Sequence, residues 1–231
     1  MRPKAAVLAA GLTVTALLAA AACTGPPDGP VESVSGPGGT QAALRRAALD
    51  AGDVPGYRIS GDTPPGDTQG TPRADRPACA PLAEVMGERP DDRARATVSR
   101  GLGSQRTPGL AVSASLSAYS APDAHRLMTG LRTALARCGT GFATLLDGRR
   151  AAYREVREVP YAVRGDESVG WTASALAQGA PAPVHIVVVR LGATVVRFMA
   201  IDLSGRAPST VTVPHEIADR QLDKLARTLG G

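Results

Sequence analysis

Lysine is almost missing from this 231-residue chain, occurring only at Lys4 and Lys224, and the aromatic set is one Trp, four Tyr and two Phe. A nucleic-acid surface needs clustered basic residues with aromatic stacking platforms, and so sparse a set supplies neither. No nucleic-acid partner is expected. The formal charge of +5 comes partly from Arg2 and Lys4; residues 1–22 contain no acid, so without them it falls by two to +3. Catalytic patterns are missing as well. His125, His185 and His215 are not at close metal-ligand spacing, and neither His-Glu-x-x-His nor Gly-x-Ser-x-Gly occurs. Gly101-Leu-Gly103 and Gly139-Thr-Gly141 are too short for phosphate loops. Ser168, beside Asp166 and Glu167, has no base near it and reads as part of a turn. No catalytic residue, metal site or cofactor is expected.

What is present begins with a leader: Met-Arg-Pro-Lys, the apolar run Ala5 to Ala22, then Cys23. A basic head, an apolar stretch and small residues before a Cys make a secretory signal followed by a lipidation site. The segment resembles a bacterial lipoprotein signal, which implies cleavage after residue 22, a diacylglycerol on Cys23 and a lipid anchor on the extracytoplasmic face of the cell membrane. Ala20 stands where that signal usually has Leu, so ordinary secretion and an uncleaved anchor remain alternatives. All three place the rest outside, because no later apolar run is long enough to cross again; the longest, Ile186–Val189, is strand-sized.

Cys23 opens a Pro/Gly-rich tether to residue 39, which buries too little to order itself and reaches roughly 20 Å as a flexible chain. One domain, residues 40–231, follows; a second Pro/Gly-rich patch, Gly61 to Pro72, reads as a surface loop within it. In an oxidising compartment its two cysteines, Cys79 and Cys138, are expected to form a disulfide. A zinc site built on that pair would be two ligands short.

Four helices are expected: about 41–51, a short one after Cys79, one from Pro122 carrying Leu127, Leu131, Ala134, Leu135 and Cys138 on a single stripe, and one from Pro214 carrying Ile217, Leu222, Leu225 and Leu229. Alternating patterns give about six strands, near 95–102, 112–118, 152–159, 169–175, 184–191 and 194–202. The last two are joined by Gly192-Ala193, which suits a type II′ turn. Strands in succession imply an antiparallel sheet with helices packed on one side, an α+β domain.

From Leu44 to Leu229 the ordered set Asp53-Val-Pro-Gly-Tyr57, Cys79-Ala-Pro-Leu82, Cys138-Gly-Thr-Gly-Phe142, Gly165-Asp-Glu-Ser168 and the final hairpin resembles the PknH-like extracellular sensor domain. That family includes outer domains of actinobacterial receptor kinases and free-standing lipoproteins. The resemblance implies an antiparallel sheet flanked by helices around a cleft. Kinase members carry two disulfides where this chain can form one, and no kinase motifs are present, so a free-standing member is expected.

Trp171, Tyr153, Arg190 and Arg197 are the candidate ligand-binding residues, being large or charged where a strand pattern predicts burial or a cleft wall. An arginine pair across the Gly192-Ala193 turn suits an anion; the alternatives are a solvated sheet face or ion pairs with Glu155 and Glu158 and, for Trp171, the core. The functional expectation is a non-enzymatic lipoprotein binding a small molecule or envelope component. A protein-interaction module recruiting an envelope partner is the second reading, and an envelope hydrolase the third.

Overall fold

The computed structural model describes residues 37–61, 71–87, 92–176, 181–204 and 210–229. The expected leader 1–22, Cys23 and most of the 23–39 tether lie outside these residues, as does most of the Gly61–Pro72 loop. In chain order the elements are α1 (Pro37–Ala47), β1 (Tyr57–Ser60), β2 (Arg73–Ala74), α2 (Ala80–Met86), β3 (Ala96–Ser104), β4 (Leu110–Ala118), α3 (Ala121–Arg137), β5 (Phe142–Leu146), β6 (Arg149–Glu158), β7 (Glu167–Leu176), β8 (Ala182–Leu191), β9 (Thr194–Asp202) and α4 (His215–Leu229). α1 takes in three residues assigned to the tether, starting on a proline as first-turn geometry allows.

The strands make one antiparallel sheet of nine, in the order β1-β3-β4-β9-β8-β7-β6-β5-β2, rather than the six expected. The additional three, β1, β2 and β5, are four, two and five residues long and lie toward the two ends of the sheet. Strands that short carry too few alternations to declare themselves; the free edge of a longer neighbour forms them.

Helices cover both faces of the sheet, which corrects the one-sided expectation. Along β8, Val184, Ile186 and Val188 pack with α2 and α3, while Val187 and Val189 pack with α1 and α4. A strand buried on both sides reads as an unbroken apolar run, which is what Ile186–Val189 is. On the α4 face the core includes Val98, Leu102, Val112, Leu116, Val196 and Phe198, so that layer sits over β3, β4 and β9. On the α3 face it includes Val169, Trp171, Ile186 and Val188, so that layer sits over β7 and β8. Each half of the sheet therefore keeps one face without a helical layer of its own among the described residues. Their two floors are Thr97, Ser99, Ser113, Ser115 and Ser117 on the α3 face, and Arg154, Arg157, Thr172 and Ser174 on the α4 face.

Local chemistry fixes the helices. Ser120 caps α3 by accepting from the Asp123 backbone, Pro122 lies in the first turn and Asp123 meets the positive end of the dipole. The expected disulfide is present: Cys138, at the C-terminus of α3, bonds Cys79 in the 3-10 turn that leads into α2. Closing a loop of 59 residues stabilises by about 4 kcal/mol in the chain-entropy relation. On the other face the buried Gln221 of α4 accepts from Leu49 N–H and donates to Ala47 O, closing the end of α1. Leu229, expected on the α4 stripe, is exposed at the last residue of the helix.

One irregularity decides what β6 presents. Arg154 pairs with Ser174 and Arg157 with Thr172, so Glu155 and Val156 together oppose the single Ala173. This is a β-bulge, with Glu155 in the left-handed region at φ +53°. The extra residue shifts the alternation by one: Val156 turns into the α3-side core, and Arg157 joins Arg150 and Arg154 on the α4 face.

Candidate functional site

The structure separates the four sequence candidates. Trp171 is 0% exposed in the core beneath α3. Tyr153 packs its ring on Phe142 at 5.2 Å, and burial raises its hydroxyl pKa against the opposing hydrogen bond to Thr144. Arg190 holds Glu167 at 2.7 Å and Asp166 at 2.9 Å. Arg197, 8% exposed, donates to Val85 O, Gly87 O and the hydroxyls of Ser113 and Ser115. The two arginines share a face but are taken up by different partners, one beside α3 and the other at the end of α2. Glu155 and Glu158 pair with neither; Glu155 lies 3.7 Å from Arg157.

Glu167 is the centre of the first arrangement. Burial alone would raise its pKa, but hydrogen bonds from Arg132, His125 and Arg190 outweigh that and hold it at about 2. The carboxylate ties α3 to β7 and β8. Arg197 does comparable work in the second, and the space beside it is only ≈ 30 Å³, enough for a water.

A larger groove, ≈ 370 Å³, opens on the α4 face of β6 and β7. Arg157, Glu155, Thr172 and Ser174 form its floor, with Pro181 and Pro183 on one side and Thr210 and Val211 on the other. The hydroxyls of Thr172 and Ser174 hydrogen-bond to no described residue, and Arg157 and Glu155 are each about three-quarters exposed. Sequence reasoning missed this set because Arg157 reaches it only through the bulge. A wider depression of ≈ 550 Å³ beside β2 and α2 is lined by one cation, Arg73, and two acids, Glu84 and Asp92. Among the described residues no group of three or more His, Cys, Asp and Glu is placed to hold a metal, and no helix is long and apolar enough to cross a membrane.

The groove's wall is anchored beneath by His185. Val213 N–H donates to its Nδ1 at 2.9 Å, while the Tyr161 ring stacks on His215 at 4.3 Å and donates its hydroxyl hydrogen to Val213 O. Burial, and then the charge of His215, lowers the His185 pKa to about 4. Residues 159–161 cross β7 at Gly170, where a Cβ would come within 2.8 Å of Val159 O.

The fold is PknH-like. The extracellular domain of PknH from Mycobacterium tuberculosis matches with a TM-score of 0.50 at 10% identity, over 83% of this chain and 97% of that one. A putative uncharacterized protein from Mycobacterium smegmatis matches with a TM-score of 0.41 at 12% identity, over 77% of this chain and 90% of that one. No family model and no curated protein matches the sequence. Within this PknH-like fold the segments behind the sequence resemblance are ties rather than site residues. Asp53 accepts from Asp50 N–H and Lys224, Asp166 accepts from Gly192 N–H, and Ser168 donates to Tyr161 O.

Proposed function

We propose that this chain is a non-enzymatic extracytoplasmic binding protein, held to the membrane by a lipid on Cys23, which takes a small molecule or envelope component in the groove on β6 and β7. The carrying observation is the ≈ 370 Å³ groove whose floor sets an exposed guanidinium beside two hydroxyls that make no hydrogen bond among the described residues. Such concave sites with a few convergent polar groups are where ligands bind. The PknH-like fold supports the extracytoplasmic address, since the matching domain of that protein is described as extracellular. Among the described residues the exposed large apolar side chains are Leu145 on β5, Leu203 after β9 and Leu229 at the end of α4, far apart in the sequence.

Native mass spectrometry of the full chain, expressed in an oxidising host, tests the binding. A co-purified adduct that disappears when Thr172→Trp fills the groove supports the proposal. A clean apo mass, or an adduct indifferent to Thr172→Trp, moves the assignment to the protein-interaction reading. The same spectra report the anchor: a diacylglycerol mass on the wild type that is lost in Cys23→Ala is expected.

A further inference from the structure

We infer that the occupant of this groove is an extended chain bearing phosphate groups, laid along β6. The inference rests on the groove reading above and adds the chemistry and direction of the ligand. Arg150, Arg154 and Arg157 stand on one face of one strand, and Arg73 extends the row because it pairs with Leu145, which pairs with Arg150. Cross-strand partners project to the same side of a sheet. Against these four cations stand Asp75, 3.6 Å from Arg150, Glu155, 3.7 Å from Arg157, and, lining the depression that Arg73 also lines, Glu84 and Asp92. Arg150 and Arg157 are 68% and 74% exposed, so these long contacts leave both guanidinium groups in water and contribute little. No described acid pairs with Arg154.

Spacing selects an extended ligand over a single anion. Arg154 and Arg157 lie opposite Ser174 and Thr172, two residues apart on β7, which is roughly 7 Å. Arg150 is four residues further along β6, roughly 13 Å from Arg154. A chain that carries phosphates at about 7 Å or at a fraction of that spacing can set one against each arginine in turn. The hydroxyls select phosphate. Ser174 beside Arg154 and Thr172 beside Arg157 add a hydroxyl donor to each planar guanidinium fork, a set suited to a tetrahedral oxyanion. The groove walls also select a chain over a planar lipid surface, which Pro183 and Val211 on either side would hold away from the floor.

The bulge is an independent sign that the row is built. Without its extra residue Arg157 would fall opposite Trp171, on the buried side. The left-handed region is disfavoured for a residue with a side chain, and the sheet sustains Glu155 there at the position that brings the third arginine into line.

The test is fluorescence anisotropy of labelled inorganic polyphosphate with the full chain, titrated across salt, with orthophosphate and phosphatidylglycerol vesicles alongside. Polyphosphate binding is expected, with log Kd rising against log salt at a slope of about 2 for three contacts. The variant Arg150→Ala/Arg154→Ala/Arg157→Ala should weaken it at least tenfold and flatten the slope. Removing three exposed arginines elsewhere, in Arg126→Ala/Arg164→Ala/Arg227→Ala, should leave it within twofold, and unchanged melting of both variants shows that they fold. Equal loss in the two triple variants, orthophosphate binding as tightly per mole as polyphosphate, or binding to vesicles alone each overturns the inference. If polyphosphate fails while a co-purified adduct is displaced by Thr172→Trp, the groove reading stands and the phosphate chain falls; if both fail, the groove falls too.

Discussion

The two faces of this sheet that lack a helical layer use the same small hydroxyl residues in opposite ways. On the α3 face of β3 and β4, Thr97 pairs with Ser117 and Ser99 with Ser115, each at 2.9 Å, and Arg197 crosses from β9 to bond Ser115, Ser113 and the Val85 and Gly87 carbonyls at the end of α2. On the α4 face of β6 and β7, Thr172 and Ser174 bond to no described residue and the arginines beside them point into water. One face has spent its polar groups on itself, so it behaves as structure. The other holds them available, so it is the place to look for a ligand.

Breaking the first face should have the largest effect. Arg197→Met keeps the apolar stem but strips the donors from Val85 O, Gly87 O and two hydroxyls at a nearly buried position. A loss of about 3 kcal/mol in urea unfolding is expected, since partners left unsatisfied out of water bear their full desolvation cost. Arg157→Met, on the open face, should change stability by no more than about 0.5 kcal/mol. Equal losses for the two would erase the distinction.

Acid should loosen the open face before it releases the Glu167 tie between α3 and the sheet. His185 is 2% exposed, and burial followed by the nearby His215 lowers its pKa from 6.5 to about 4. Between those values the unfolded chain binds a proton that the native state refuses. The stability from neutral His185 is therefore fully present above pH 6.5 and lost as pH falls to 4, roughly 3 kcal/mol in all. Protonating Nδ1 also costs the Val213 bond, so the groove wall at Val211 is released first. Glu167 acts in a lower window, its contribution present above pH 4.5 and lost toward about 2. Urea midpoints against pH for His185→Gln should lose the slope between 6.5 and 4 and keep the slope below it. A slope unchanged in the variant would assign the upper window elsewhere.

How far the sequence showed this arrangement depended on whether a signal was local. The stripes of α3 and α4 and the β8–β9 hairpin are carried by residues three or four apart, or alternating, and were readable without partners. The run Ile186–Val189 already carried the second helical layer, because an alternating strand has one buried face and an unbroken one has two. β6 was legible only weakly: Arg150, Ala152 and Arg154 keep one parity and Arg157 the other, and no alternation count registers a bulge fixed by β7. That is also why the groove was missed. Arg197 and Trp171 were visible as a charged and a large residue in apolar strands, yet what each touches comes from α2 and α3, far away in the chain.

The smallest effect is the sharpest probe of the difference. Ser115, nearly buried, exchanges a hydrogen bond with Ser99 and accepts one from Arg197 at 2.8 Å. Ser115→Ala leaves both of those partners short in a place water reaches poorly, and about 1 kcal/mol should be lost. Ser174 is half-buried, with no described partner to abandon, so Ser174→Ala should lie within about 0.5 kcal/mol of wild type. The order should reverse for binding: Ser174→Ala should weaken retention of the groove's adduct and Ser115→Ala should not. If Ser174→Ala costs as much stability as Ser115→Ala, its hydroxyl is already engaged in the folded chain. The two faces would then be equally self-satisfied, and the groove would lose the feature that marks it as a binding site.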